Sequence, residues 1–450
     1  MFWPFKKKKE KKDIFEVKKG NENLETLKAS RLADKAFELA NNIFEQTGAR
    51  RAGDESSKKC ARILHEELKK YSDDSLITSF RSSESSYYGS LKLLALSTPV
   101  ILLLSYFSLT IFALLLFCFI SFIFIWEFIY CKGSDKTFFP KCDMTNVHAT
   151  IEPSESYENT IIFTSHHDSA PLFNREKSLL VALYIPLIHW LFLGVICLVG
   201  FITDIFTLGL FKISLPPIFV LVLLSIMAIT SFVYINLYKL VSKEYSPGVG
   251  DNLMSSCVLE ELARYFHWKK ERGEGLKNTK LIFASFDGEE CGLKGSRWWF
   301  EHHKEQLIKP IVINLDCLYD SSELTILTKD NNGLVKLSSS LASDIAALCE
   351  KMGYKVKMGG MEMFCGSTDA TSAARCGFDA ISIVCTNMTP SDKSYYHTLE
   401  DTIDKIDKAT IEEVISICIK IVENNSVSNT PKKEILALQD SDRKLAVMKR

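Results

Sequence analysis

Five short clusters of histidine and carboxylate residues punctuate the chain: Ser165-His166-His167-Asp168-Ser169, Gly250-Asp251-Asn252, Asp287-Gly288-Glu289-Glu290, Asn314-Leu315-Asp316 and Tyr395-Tyr396-His397-Thr398. Each falls at or just after the end of a run that reads as an element, where α/β folds place their reactive groups. Together they offer two or three imidazoles and several carboxylates. Zinc takes such mixed ligands at a reactive site and keeps one position for water. Two ions roughly 3.5–4 Å apart need a carboxylate bridging them, and a further carboxylate beside the ligands can take a proton from the water they hold. Singly, each pattern also reads as structure, since a strand-end His can simply bond a neighbour and paired Glu residues can mark a solvated surface. It is their number and order that point to metal-assisted hydrolysis.

The elements between the clusters alternate in type. Residues 30–72 read as two helices, the second with Cys60, Ile63, Leu64 and Leu68 at helical spacing. Strand-like runs follow at Ser75–Phe80, Val147–Glu152 and Thr160–Thr164. Beyond them come a helix over Asp251–Phe266, a strand over Lys280–Phe286, a helix over Arg297–Gln306 and a strand over Pro310–Leu315. A helix over 335–352, a strand over Ala380–Val384 and a closing helix over Ile411–Glu423 complete the pattern. This predicts an α/β fold with a mixed, largely parallel central sheet flanked by helices.

Two apolar blocks interrupt that pattern. No residue from Leu93 to Trp126 is charged, and from Ser178 to Leu240 only Asp204, Lys212 and Lys239 are. A membrane-crossing helix needs about 20 apolar residues. The second block fits two spans, about 179–202 and 217–238, split by Thr203-Asp204, Lys212 and Pro216-Pro217. The first must return to the side it left if its flanks belong to one domain, so a hairpin is expected there too. The resulting division is a basic arm over 1–20, one soluble domain in three pieces (21–91, 132–177 and 242–425), transmembrane hairpins at 92–131 and 178–241, and a loose tail over 426–450. His189, inside a proposed span, is expected to bond a neighbour rather than to act.

The 54 Lys and Arg balance 55 Asp and Glu to a formal net charge of -1, so the chain lacks the basic surplus of a nucleic-acid binder. Lys and Arg flank the apolar blocks on the domain side, which places the soluble domain in the cytoplasm. The 13 cysteines form no C-x-x-C pairs, in keeping with a reducing compartment. The arm, with Phe2, Trp3 and Phe5 before Lys6–Lys9, suits anionic lipid or a solvated tail.

The ordered clusters resemble the co-catalytic zinc aminopeptidases, the exopeptidase family that includes secreted bacterial aminopeptidases, glutamate carboxypeptidase II, glutaminyl cyclases and the catalytically dead transferrin receptor. The family pattern is H-x-D-S, D-N, E-E-x-G-L-x-G-S, N-x-D and Y-H-T. It is met by His166-His167-Asp168-Ser169, Asp251-Asn252, Glu289-Glu290-Cys291-Gly292-Leu293-Lys294-Gly295-Ser296, Asn314-Leu315-Asp316 and Tyr396-His397-Thr398. The resemblance implies two zinc ions, for which Co or Mn can substitute. Asp251 would bridge them, Glu290 and His397 would complete one site, and His166 and Asp316 the other. Glu289 would be the general base, Asp168 would orient His166, and Tyr396 would donate to the oxyanion. His167 is expected to be structural, and Thr368-Asp369-Ala370 either lines the cleft or caps a helix. The implied activity is exopeptidase, most simply aminopeptidase, with a peptide substrate that the hairpins would bias toward hydrophobic or membrane-proximal chains. Glutaminyl cyclase, carboxypeptidase and a non-catalytic receptor or scaffold are the alternatives. The hairpins, which cut through the catalytic domain, depart from the usual members.

Overall fold

A computed structural model describes residues 28–133, 138–173, 180–207, 218–387 and 395–424. The expected arm, the tip at Lys212 and Pro216-Pro217, and the tail lie outside them. In chain order the elements are α1 (Ala29–Thr47), α2 (Glu55–Leu68), β1 (Asp74–Ser82), α3 (Ser86–Tyr106), α4 (Thr110–Phe124, continued by a wider turn to Ile129), β2 (Cys142–Ile151), β3 (Asn159–His166) and β4 (Pro171–Phe173). Then come α5 (Ile185–Phe206), α6 (Ile218–Thr230), α7 (Tyr234–Tyr238), β5 (Val241–Tyr245), α8 (Met254–Glu271), β6 (Thr279–Phe286), α9 (Lys294–His303), β7 (Pro310–Leu318), β8 (Leu324–Asp330), β9 (Val335–Lys336), α10 (Ser339–Lys351), β10 (Lys357–Gly360), α11 (Ala370–Arg375), β11 (Asp379–Cys385) and α12 (Lys408–Glu423).

The main sheet runs β1-β2-β6-β3-β7-β11-β8-β10, with β9 beside β8. Its central strands β6, β3, β7 and β11 are mutually parallel, whereas β2 joins β6, and β8 joins β11, in antiparallel sense. The sheet is therefore mixed with a parallel centre, and the expectation of a largely parallel sheet holds only there. β8 and β10, which make the far flank, were not foreseen; β10 is only four residues long and mostly exposed, so it offers no apolar alternation to read.

Strand pleating divides the core into two layers. Ile161 and Phe163 of β3, with Leu281 and Phe283 of β6, pack under the helices α1, α2, α8 and α12. Their alternates Ile162, Ile282, Ala284 and Phe286 pack against Trp299 and Phe300 of α9 and Ala370 and Ala373 of α11. In α1 the buried Leu32, Ala36, Ala40 and Ile43 recur at helical spacing, and Gly48 ends the helix at φ +61 with its N–H on Phe44 O.

Four helical stretches, Ser86–Tyr106, Thr110–Ile129, Val181–Phe206 and Ile218–Tyr238, are long and apolar enough to cross a membrane. They pack on one another around Ile101, Ala113, Trp190, Leu193 and Tyr234. Gly194 lies against the Phe117 ring and Gly200 against Thr110, the close approach that small residues allow between apolar helices. Outward they show Leu115, Leu191 and Phe192, each at least 60% exposed. The Trp190 indole donates to Ser121 Oγ at 2.9 Å, and His189 has Thr230 Oγ1 on one nitrogen and the Tyr234 hydroxyl on the other. The first stretch begins at Ser86, before the expected edge at 92, because Lys92 is carried inside it with its ammonium over the Tyr238 ring. Both insertions leave and return at adjacent strand ends. Ser82 of β1 pairs with Cys142 of β2, and Phe173 of β4 with Val241 of β5, so neither disturbs the strand pair it interrupts.

The helix expected from Asp251 instead starts at Met254. Asp251 and Asn252 have non-helical backbone; the Asp401 carboxylate accepts the N–H groups of Gly250 and Asp251, and the Asn252 side chain donates to Leu315 O.

On the far side of the sheet His148 is buried, and its Nδ1 accepts from the Trp299 indole at 3.2 Å, which requires a neutral ring. Burial pushes its pKa down to about 4, and His303 beside it acts in the same direction. A lowered folded-state pKa stabilises the protein above the unfolded value near 6.5, and that contribution is lost as pH falls through 6.5 toward 4. His148→Gln is expected to flatten the fall of the thermal midpoint in detergent between pH 7 and 4, removing up to about 3 kcal/mol of pH-dependent destabilisation.

Candidate metal centre

Because β6, β3 and β7 are neighbours and parallel, their C-terminal ends share one edge of the sheet. His166 is the last residue of β3, Asp316 lies near the end of β7, and the turn after β6 carries Glu289 and Glu290. Asp251 reaches the same edge from the turn before α8. His397 comes from the loop before α12, with a left-handed φ of 56 that non-glycine residues adopt only under local constraint.

The Asp251 carboxylate lies between the two histidines. Its Oδ1 is 3.4 Å from His166 Nε2 and its Oδ2 is 3.3 Å from His397 Nε2. His166 Nε2 also lies 3.9 Å from Asp316 Oδ1 and 3.8 Å from Glu289 Oε2, and His397 Nε2 lies 3.1 Å from Glu290 Oε2. Most of these separations are too long for hydrogen bonds. They suit atoms that share a cation, since two ligands about 2.0–2.2 Å from a tetrahedral zinc ion stand roughly 3.3–3.6 Å apart. Among the described residues, the buried Glu290 Oε1 has no hydrogen-bond donor. The groups His166–Asp251–Asp316 and Asp251–Glu290–His397 could each hold an ion, with Asp251 common to both; His166–Glu289–Glu290 is a third grouping of the same atoms.

The electrostatics ask for positive charge. Burial pushes Glu289 well above the usual carboxylate range, and Glu290 and Asp316 up to about 7. For His166 burial lowers the pKa, yet Glu289, Asp168, Asp251 and Asp316 outweigh it and raise the ring well above its ordinary value. His397 likewise resists burial and is drawn up to about 9 by Glu290 and Asp251. Asp251 alone is held below its usual value, burial notwithstanding, because it faces both imidazoles. A dry cluster of this kind, acids competing for too few cationic partners, is satisfied by divalent metal.

Asp168 supports the centre from behind. Its two oxygens accept the N–H groups of Glu289 at 3.1 Å and Glu290 at 3.2 Å, and its Oδ1 lies 3.6 Å from His166 Nδ1. Tyr396 stacks on His397 with ring centroids 3.7 Å apart and borders the cleft; burial keeps its hydroxyl protonated. His167 turns away, with Nδ1 on Ser285 Oγ, and burial holds its pKa down at about 3. Ser367 and Thr368 border the cleft; Asp369 is buried at the start of α11 and makes no helix cap.

Three supports were not foreseen. Asp401 braces the backbone of Gly250 and Asp251. Asp287 accepts from Gly53 N, Thr145 N and Ser57 Oγ, and so locks the start of the glutamate turn. Arg50, fully buried, donates to the carbonyls of His167, Gly48, Pro247 and Gly248, tying the strand end at His166 to the turn that holds Asp251. Asp287 belongs to one of the five clusters, but its supporting role, like those of Asp401 and Arg50, was not read from them, because most of the partners are more than a hundred residues away.

Residues 239–422 match the family described as Peptidase family M28. Aminopeptidase YwaD of Bacillus subtilis (strain 168) is 28% identical over 211 residues, covering 44% of this chain and 42% of that protein, so the match spans under half the relative's length. Among solved structures, a Zn-dependent exopeptidase from Parabacteroides distasonis ATCC 8503 superposes with a TM-score of 0.52 at 14% identity, covering 87% of this chain and 98% of that one. A glutaminyl cyclase from Bacteroides thetaiotaomicron gives 0.51 at 12% identity, covering 87% and 97%. An aminopeptidase from Aneurinibacillus sp. strain AM-1 gives 0.50 at 14%, covering 87% and 93%. At these identities the superpositions speak for fold alone. The fold is like that of these structures, and the segment 239–422 is similar to the M28 peptidases.

Asp168→Asn would turn an amide N–H₂ toward one of the two glutamate N–H groups. Titration of zinc into chelator-stripped protein is expected to show binding weakened about 10- to 100-fold, with the fold retained.

Proposed function

We propose that the protein is a membrane-embedded, zinc-dependent exopeptidase, an aminopeptidase, that hydrolyses peptide bonds. The observation that carries this reading is the Asp251 carboxylate set between His166 and His397, with Asp316 and Glu290 completing the two sides. Two zinc ions at these positions would supply Lewis acidity and a water of lowered pKa.

The chain's own groups do the rest. Glu289 reaches the cleft with Oε2 and stands outside the two groups that share Asp251. Its burial raises its proton affinity, so it is suited to take a proton from the attacking water and pass it to the leaving amine. Asp168 holds the backbone of Glu289 and Glu290 and thereby aims both carboxylates. Tyr396, protonated and beside His397, is placed to donate to the oxygen that gains charge. Glutaminyl cyclisation, for which the fold likeness leaves room, needs no hydrolytic water. The second set of acidic groups and the separate Glu289 favour hydrolysis.

The four apolar helices would cross the bilayer as two hairpins; their outward Leu, Val and Phe side chains support this. The flanking Lys and Arg favour a catalytic domain on the cytoplasmic side, and the thirteen cysteines are all free thiols, as a reducing compartment requires. Phe173 lies edge-on to His397 with centroids 4.7 Å apart, and its other neighbour is Tyr88 at the base of α3. An apolar wall between the metal site and the hairpins favours hydrophobic or membrane-proximal peptides.

In detergent-purified protein, wild type is expected to carry about two zinc ions per chain and Asp251→Ala to lose them. Glu289→Gln should keep the metal and lose at least about 10²-fold in kcat on short peptides; survival of activity would remove Glu289 as base. For orientation, an impermeant maleimide should label Cys365 and Cys376 only after cells are permeabilised. Labelling in intact cells would reverse the topology.

A further inference from the structure

The first hairpin does more than pass near the site. Lys294, the first residue of α9, lies four positions after Glu290 on the turn that carries both glutamates. Its backbone N–H donates to Gly288 O at 2.9 Å, and the N–H groups of Gly292 and Leu293 return to Glu289 O, so Asp168 fixes the start of this turn and Lys294 closes its end. The Lys294 side chain then leaves the α/β domain. Its Nζ lies 3.0 Å from Glu127 Oε2, at the end of the second apolar stretch, and 3.0 Å from Ser86 Oγ, at the start of the first. Ser86 Oγ itself donates to Glu127 Oε2 at 2.7 Å. Lys294 and Glu127 are 1% and 5% exposed.

The contact is reinforced on both sides. Arg297 donates to Gly133 O, Arg375 to the carbonyls of Tyr130 and Cys131, and Asn332 to Ile129 O, so α9, α11 and the loop after β8 all grip the segment where the hairpin returns. Tyr87 stacks on Phe128 with centroids 4.8 Å apart, and its ring lies so close to Gly292 that a Cβ there would approach it to 3.1 Å. Gly292 has φ +98, which a side chain would also oppose. The glutamate turn is thus pressed between Asp168 on the domain side and the two roots of the hairpin on the other.

We infer that the buried Ser86–Glu127–Lys294 cluster is a positioning device through which the first apolar hairpin sets the geometry of the Glu289–Glu290 turn. Glu127 and Ser86 touch neither metal nor substrate; they act through Lys294. The metal centre is therefore complete only when the hairpin is docked. A buried ion pair contributes little net stability but is costly to break from one side, because the remaining charge is left buried without its counter-charge. The turn must shift to bring the Lys294 ammonium to water, and it takes Glu290 with it.

The inference rests on the metal-site reading, and the test separates the two. Chelator-stripped wild type and variants are titrated with Co²⁺, whose visible spectrum and dissociation constant report ligand geometry whether or not a peptide is cleaved. Glu127→Gln is expected to weaken cobalt binding about 10-fold or more and to alter the spectrum. Should it misfold, Ser86→Ala, which removes one hydroxyl, is expected to weaken binding severalfold. Thr110→Val breaks the contact with Asp204 at the far end of the same hairpin and serves as the control for general destabilisation; its spectrum and affinity should match wild type. On peptide substrates Glu127→Gln should lower kcat by about 10- to 100-fold with KM nearly unchanged, as misplacement of a turn by a fraction of an ångström does. Wild-type cobalt affinity and spectrum in folded Glu127→Gln or Ser86→Ala, or an equal loss in Thr110→Val, would overturn the inference. A wild type that binds no cobalt would instead overturn the metal-site reading itself.

Discussion

One constraint organises the molecule: Asp251, Glu289, Glu290 and Asp316 share a dry space with only two imidazoles. Carboxylates buried together repel one another and lose their hydration, so the arrangement survives only where the backbone leaves them no alternative and cations can enter. The surrounding hydrogen bonds supply that lack of choice. Asp168 holds the two glutamates by their N–H groups, and Asp401 holds Gly250 and Asp251 by theirs. Each brace is itself a buried acid, and Asp401 is raised to about 7 by burial and by Asp251. The fold thus stacks acid behind acid, and the charge of bound metal would make the whole set compatible.

The insertion of two hairpins into such a site is possible because of where the strands end. A loop that leaves one strand end and returns to its neighbour closes on a short distance however long it is, at a cost that grows only logarithmically with length. β1 and β2 hold the ends of the first insertion, and β4 and β5 those of the second. Beside each root stands a fully buried cation. Arg50 bonds the carbonyls of Pro247 and Gly248 next to the second root, and Lys294 meets Glu127 at the first.

The sequence disclosed whatever was encoded locally. The five clusters were legible because each places its chemistry within two to four residues at a strand end or turn. The apolar helices were legible from composition, although Lys92 hid the true start at Ser86. The parallel centre followed from alternating elements, while the far flank, β8 and β10, did not; β10, short and mostly exposed, carries no periodic apolar signal. The helix expected at Asp251 begins three residues later, after non-helical backbone at Asp251 and Asn252 whose contacts reach Asp401, 150 positions away, and Leu315. The roles of Arg50 and Asp287, and the link from Lys294 to Glu127, were illegible on the same ground, because contacts that span more than a hundred residues leave no mark in either neighbourhood.

The two buried cations differ in a way that bears on how the domain and hairpins depend on each other. Arg50 meets neutral carbonyls, and its planar fork reaches several of them at once from within the soluble domain. It would keep those partners whatever lay beyond β4 and β5. Lys294 has no such independence. Its charge is answered by Glu127, which belongs to the apolar hairpin, and its second contact, Ser86, belongs there too. With the hairpin in place its ammonium is shut off from water, so its burial depends on the carboxylate that the hairpin itself supplies. Lys294, in the second variable position of Glu-Glu-Cys-Gly-Leu-Lys-Gly-Ser, is therefore matched to an insertion whose contacting carboxylate lies 167 residues earlier, and the α/β domain and its first apolar hairpin pack as parts of one structure.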